Sequence, residues 1–154
     1  MTARIVSGGS TPSAEFADAT VLTELRPGVY VFRDAQQWEL GMSSPDDIAL
    51  AVHTTVVSRH GGRLIADAGS KVLGADRGSY STGFGRLLDH PEARVTALSE
   101  HHATITGVDL PAGSQVRVVP NHVCTAVNLA NEYVVVRDGV VVGRWPIDAR
   151  GANT

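Results

Sequence analysis

The chain has 154 residues, enough for one domain with its own hydrophobic core, and a formal charge of −3. It carries no basic excess to attract nucleic acid or an anionic membrane, and no apolar run approaches a membrane span. Its start, Met1-Thr2-Ala3-Arg4-Ile5-Val6, lacks the apolar core of a secretory leader, and its single cysteine cannot form an internal disulfide, so a reducing, cytoplasmic setting is expected.

Ile5-Val6-Ser7 is a short β-prone piece entering Gly8-Gly9-Ser10-Thr11-Pro12, and Ala14 to Ala19 has weak helical character. Strand, glycine loop and helix in that order can present backbone N–H groups to a phosphate, with Ser10 and Thr11 adding hydroxyls. An ordinary turn has the same composition, and no Gly-Lys-Ser/Thr follows to make a Walker loop. Glu24 to Arg26 and Val29 to Phe32 read as strand pieces around the Pro27-Gly28 turn. Asp34 to Leu40 is polar and irregular, at most a helical turn. Ser43-Ser44-Pro45-Asp46-Asp47 has helix-start chemistry.

Ala51 to Ser58 is β-branched and reads as a strand, turned by His60-Gly61-Gly62 into Arg63 to Asp67. Ala68 to Gly85 reads as a long loop rich in glycine and serine, the kind that is often functional. It contains Lys71, the only lysine, expected to be exposed. Val95 to Ile105 alternates imperfectly around Ser99-Glu100-His101-His102. Adjacent histidines in a strand point to opposite faces, so at most one of them faces any given site. Gln115 to Val119 is a further strand. Tyr133 to Arg137 and Val140 to Val142, joined by Asp138-Gly139, form the clearest hairpin, because Asp-Gly supplies the positive φ angles of a type I′ turn.

Seven or more short strands with turn signals between them predict a mainly β, mostly antiparallel barrel or sandwich. The first dozen residues fit less well and look like one βα unit of another architecture.

The stretch Val118-Val119-Pro120-Asn121-His122-Val123-Cys124 carries the strongest chemical signal. Pro120 and Asn121 stop a valine-rich run, which puts His122 and Cys124 just past a strand end. If the backbone there stays extended, residues two apart face the same side, and an imidazole and a thiolate converge as a zinc pair would. Two ligands suit an open catalytic site and are too few for a structural one. The competing reading makes Cys124 a small buried hydrophobe and His122 a turn histidine.

Taken in order, these motifs closely resemble the carboxy-terminal part of the D-serine dehydratase and D-threonine aldolase family, pyridoxal-phosphate enzymes of the alanine-racemase fold type. The residues carrying the likeness are Val6 to Pro12, Glu24 to Phe32, Asp67-Ala68-Gly69-Ser70-Lys71, Asp76-Arg77-Gly78, Ser99 to His102, Pro120 to Cys124, Val127-Asn128-Leu129 and Trp145 to Gly151. The resemblance covers nearly the whole chain. It implies residues 1–22 as the last part of a (β/α)8 barrel, 23–151 as a β-domain, and 152–154 as a tail.

It also implies that Gly8, Gly9, Ser10 and Thr11 cradle the cofactor phosphate and that His122 and Cys124 hold zinc. The family's dehydratases use His-x-Cys where its aldolases typically carry His-x-Asp, which tilts this chain toward dehydration of a small D-amino acid. In such a reaction the cofactor serves as electron sink and zinc makes the β-hydroxyl a better leaving group. An aldolase would instead break the Cα–Cβ bond.

The family's Schiff-base lysine lies near the start of the barrel, before Gly8. Lys71 matches a motif of the β-domain and does not take that role, so no catalytic residue is assigned and no turnover is expected from this chain alone. Glu100-His101-His102-Ala103 also departs from the usual Glu-Glu-His-Gly. The expected partners are a barrel-bearing chain and a second copy in a homodimer. A non-catalytic dimerising remnant and a phosphate-ligand binder are the competing functions.

Overall fold

The computed structural model describes residues 4–152. Residues 1–3 and 153–154, on which parts of the leader and tail expectations fall, lie outside them. Strands β1 (Ser7–Gly8) and β2 (Glu24–Leu25) pair in parallel, Ser7 opposite Glu24. A 3-10 helix, Thr11–Phe16, lies between them, starting earlier than the Ala14 expected from composition. Pro12 in its first turn and the Ser10–Ser13 capping pair start it there.

Val29 to Phe32 is not a strand. Val29–Val31 is a 3-10 helix, with Phe32 and Arg33 N–H donating to Val29 O at 3.1 and 2.8 Å. The Thr11 hydroxyl accepts the Tyr30 N–H at 3.1 Å, so hydrogen bonds fixed by tertiary context override β propensity. Helix α1 (Ala35–Glu39) follows, and a 3-10 turn at Pro45–Asp47 is closed by a Ser44–Asp47 capping box.

β3 (Val52–His60) and β4 (Arg63–Ala66) form the expected hairpin, Gly61 and Gly62 both at positive φ. A short helix, α2 (Ser70–Leu73), interrupts the stretch expected to be all loop. β5 (Gly85–Leu87), β6 (Arg94–Leu98), β7 (Ala103–Thr106) and β8 (Gln115–Pro120) complete a closed barrel in the order β3-β4-β7-β6-β5-β8, every pairing antiparallel. Of the barrel and the sandwich, the chain forms the barrel. His101 and His102 lie in the β6–β7 turn, closed by Ser99 N–H donating to His102 O at 2.9 Å, and not within a strand.

Barrel closure leaves its strands no open edge. Register shifts in β3 at Val56/Ser58 and in β6 at Val95/Ala97 bend those strands, the device small barrels use to close. Side chains fill the interior: Val56, Leu64, Ala66, Leu87, Val95, Ala103, Ile105 and Val118 are all at most 1% exposed.

Outside the barrel, α3 (Val123–Leu129) follows β8 directly. β9 (Glu132–Arg137) and β10 (Val140–Pro146) form a separate two-stranded sheet, with Asp138 and Gly139 at φ 51 and 77 as the Asp-Gly turn requires. Tyr133 of β9 packs on Phe32 with ring centroids 5.4 Å apart. Among the described residues no helix is long and apolar enough to cross a membrane.

Candidate metal centre

The chain leaves the barrel at Pro120, which has no N–H to extend the ladder. Asn121 is buried, and its amide donates to Gly83 O at 2.7 Å and Asp76 O at 3.1 Å. His122 is still extended (φ −127, ψ 108) and serves as the N-cap of α3. From Val123 the backbone is helical, so the extended run that would have put His122 and Cys124 on one side ends between them. Two hydrogen bonds cause this. Asp34 Oδ2 accepts the Val123 N–H at 3.1 Å, and Ala126 N–H donates back to His122 O at 3.3 Å. Helix capping by a side chain 89 residues distant thus replaces the β continuation.

Asp34 is 1% exposed and caps two helices at once. Its Oδ1 accepts the Gln37 N–H at 2.9 Å at the start of α1 and its Oδ2 serves α3. Burial raises its carboxyl above the ordinary range, opposed by the N–H groups of Gln37 and Val123 and by nearby His122. Asp76, on the loop after α2, faces the same turn. Its Oδ2 is 2.7 Å from His122 Nδ1 and also accepts the Thr125 hydroxyl. The Thr125 hydroxyl first, then His122, hold Asp76 below the usual carboxylate range.

Cys124 is exposed in the first turn of α3 and is not the buried hydrophobe of the competing reading. Its thiol is nonetheless raised, mainly by desolvation and then by the negative charges of Asp34 and Asp76. It opens on a cleft of about 610 Å³ walled by Val29, Val31, Phe32, Val127 and Ile147, with Asn128 and Arg150 as polar members.

The expected phosphate loop lies elsewhere on the chain. Gly9 takes φ +79, and Gly8, Gly9 and Ser10 reach solvent. Thr11 is buried, its hydroxyl occupied by Tyr30 N–H, so it is turned inward and away from a surface ligand. Ser10 and Ser13 bond each other at 3.2 Å. Lys71 pairs with Glu100 at 2.9 Å on the surface of α2, exposed as expected.

Among the described residues no group of three or more His, Cys, Asp or Glu side chains is placed to hold a metal ion. An imidazole nitrogen and a thiol sulfur are a donor set that zinc accepts. They fit an open site, in which water and substrate fill the other positions, and do not fit a structural one. Sequence reasoning did not pick out Asp34 or assign Asp76 a role. Asp34 with Gln37 three residues on is a capping pattern visible in the sequence, whereas the partner of Asp76 is set by tertiary packing alone.

Fold and site together define a small closed β-barrel domain with an imidazole and an accessible thiol where its last barrel strand passes into a helix. A family model described as "Putative serine dehydratase domain" matches residues 49–136. The chain is 52% identical over 129 residues to an uncharacterized protein of Mycobacterium tuberculosis, covering 78% of this chain and 97% of that one. It is 37% identical to a D-threonine aldolase of Arthrobacter sp., covering 95% of this chain and 39% of the aldolase. The solved structure of D-threo-3-hydroxyaspartate dehydratase from Delftia sp. superposes with a TM-score of 0.82 at 29% identity, covering 95% of this chain and 44% of that one.

The chain belongs to the D-serine dehydratase-like domain family. It spans about two-fifths of the lengths of the aldolase and dehydratase it matches and nearly all of the mycobacterial protein. Solved variants of D-threo-3-hydroxyaspartate dehydratase include one with a histidine replaced by alanine and one, two positions on, with a cysteine replaced by alanine in a metal-free form.

Proposed function

We infer that this chain is the metal-bearing β-domain of a pyridoxal-phosphate- and zinc-dependent D-amino acid lyase that eliminates the hydroxyl of a 3-hydroxy D-amino acid. The observation that carries this reading is the His122-x-Cys124 pair at the start of α3, with its thiol accessible. The same spacing separates the histidine and cysteine replaced in the dehydratase variants, the cysteine variant being metal-free. That correspondence favours dehydration over aldol cleavage, although an aldolase is also among the relatives.

Zinc would supply a Lewis acid at the substrate's β-hydroxyl, and pyridoxal phosphate an electron sink for Cα. His122 and Cys124 would hold the metal from the protein side and leave its other positions open. Gly8, Gly9 and Ser10 are the residues here that could meet the cofactor phosphate. The apolar wall of Val29, Phe32 and Val127 beside Cys124 would limit water at the metal. Lys71, the only lysine, sits on the surface of α2 beside Glu100 and matches a β-domain motif, so the lysine that binds the cofactor would be supplied by a barrel, in the same protein or in a partner chain.

Metal titration of the purified chain tests the reading. One zinc per chain is expected, and Cys124→Ala abolishes it. D-serine with pyridoxal phosphate and zinc should give no turnover until a barrel-bearing chain is added. A wild-type chain that takes up no zinc overturns the lyase assignment.

One observation favours a second reading, a non-catalytic module that dimerises. The mycobacterial relative is almost wholly accounted for by this domain. A stable dimer binding neither zinc nor cofactor would decide for it.

A further inference from the structure

We propose that Asp76 is the positioning residue of the His122–Cys124 pair, receiving the imidazole proton at Nδ1 so that His122 presents Nε2 to the metal. The inference rests on the zinc reading above and adds a residue that the ligand spacing does not reveal.

Four of the five residues from Asn121 to Thr125 are held by side-chain hydrogen bonds from outside the turn or to it. Asn121 donates to the backbone of Asp76 and Gly83. His122 Nδ1 lies 2.7 Å from Asp76 Oδ2. Val123 N–H is held by Asp34, and the Thr125 hydroxyl by the same Asp76 oxygen. Cys124 alone has no such restraint among the described residues, and its thiol is exposed. The turn is thus fixed on both sides of the sulfur, and Asp76 provides the grip on each flank.

The loop bearing Asp76 is itself seated by close packing. Gly74, at φ +73, lies so near Thr125 that an added Cβ would meet the Thr125 methyl at 2.8 Å. A side chain at that position would push the loop, and Asp76 with it, off the turn. A carboxylate on the far nitrogen of a metal-bound imidazole selects the tautomer, orients the ring and makes the ligand nitrogen more basic. Losing such a partner typically weakens metal affinity by about 10- to 100-fold. The Oδ2 oxygen, shared by a ring nitrogen and a hydroxyl, holds the ring in one plane relative to α3, whereas a lone surface histidine would rotate.

The test has two arms. In the metal-free chain, nitrogen NMR of labelled histidine reads the tautomer of neutral His122. The proton is expected on Nδ1, and an Nε2–H tautomer overturns the proposal whether or not zinc binds. In the second arm, zinc or cobalt affinity is measured for Asp76→Ala and Asp76→Asn. Alanine should lower affinity about 10-fold or more and release the tautomer into a mixture. Asparagine, which keeps an acceptor oxygen, should fall between. Wild-type affinity in a folded Asp76→Ala chain overturns the proposal. A purely structural role would lower the melting temperature without moving the tautomer. If the wild-type chain takes up no metal, the lyase reading fails and the first arm still decides the role of Asp76.

Discussion

The carboxylate of Asp34 reaches across 89 residues to accept the N–H of Val123 at 3.1 Å, and its other oxygen caps α1 through Gln37. One buried side chain therefore starts two helices, the second of which carries Cys124. Asp34→Ala leaves two helix N-termini short of an acceptor, both of them buried. Loss of the caps and the unsatisfied buried N–H groups together should destabilise the chain by about 2–4 kcal/mol. Urea unfolding checks this, and a cost below about 0.5 kcal/mol would mean the double cap is not formed in solution.

A mainly β, mostly antiparallel fold is legible in the sequence, while the choice between barrel and sandwich is not. The β-branched run at Ala51 to Ser58, the Gly61-Gly62 turn and, outside the barrel, the Asp138-Gly139 turn each encode their structure locally, and strand and turns form there. Val29 to Phe32 departs from the strand its composition predicts for a physical reason. Its valines carry β propensity, but the Thr11 hydroxyl and the repeated bonds to Val29 O hold it in a 3-10 turn. The His122–Cys124 pair was legible as chemistry. Its geometry was not, because the helix that separates the two residues is started by Asp34 and gripped by Asp76. No periodicity within Val118 to Cys124 can report partners that far along the chain.

Leu87 is fully buried in β5, the three-residue strand that joins β6 to β8 and completes the barrel. So short a strand has little hydrogen bonding to spare and depends on packing. Leu87→Ala should cost about 2–5 kcal/mol through lost burial and the cavity left behind. Chemical denaturation measures it, and increased binding of a hydrophobic dye would accompany a loosened barrel.

Cys124 should react slowly with alkylating reagents at neutral pH, despite its exposure. Thiolate is the reactive form, and desolvation together with Asp34 and Asp76 raises its pKa. With metal removed by a chelator, the alkylation rate should climb with pH and level off above the range of an ordinary cysteine. Zinc added back should suppress it. A rate that levels off below that range would show that the acidic neighbours do not act on the sulfur.

Acid should unfold the chain through carboxylates whose bonds exist only in the folded state. The Arg117 guanidinium holds the Asp89 carboxyl below its usual range, and the Thr54 hydroxyl and Thr55 N–H do the same for Asp67. A carboxyl with a lowered folded pKa binds fewer protons folded than unfolded. Its contribution is complete above the ordinary carboxylate range and is lost as pH falls through the folded values. Asp34 has the opposite sign, since its raised pKa makes ionisation cost stability as pH rises out of that range. The Asp89→Asn variant should therefore show a shallower loss of stability below the ordinary carboxylate range. An unchanged slope in denaturation midpoints measured against pH would rule out this ion pair as a contributor.

The Asp67 to Lys71 motif meets the Ser99 to His102 turn in space, and the contact is made by backbone. Ser70 and Lys71 N–H donate to Ser99 O and Glu100 O at 2.9 and 3.1 Å. A Cβ on Gly69 would sit 2.4 Å from Ser99 O, a backbone atom that cannot swing aside. Gly69→Ala should therefore cost about 1–3 kcal/mol by forcing α2 off the turn. Lys71→Ala removes only an exposed ion pair with Glu100 and should stay within about 0.5 kcal/mol. Thermal melts of the two variants side by side separate the contributions. A loss at Lys71→Ala as large as that at Gly69→Ala would mean that the surface ion pair contributes as much to the fold as the backbone contact, and would overturn this account.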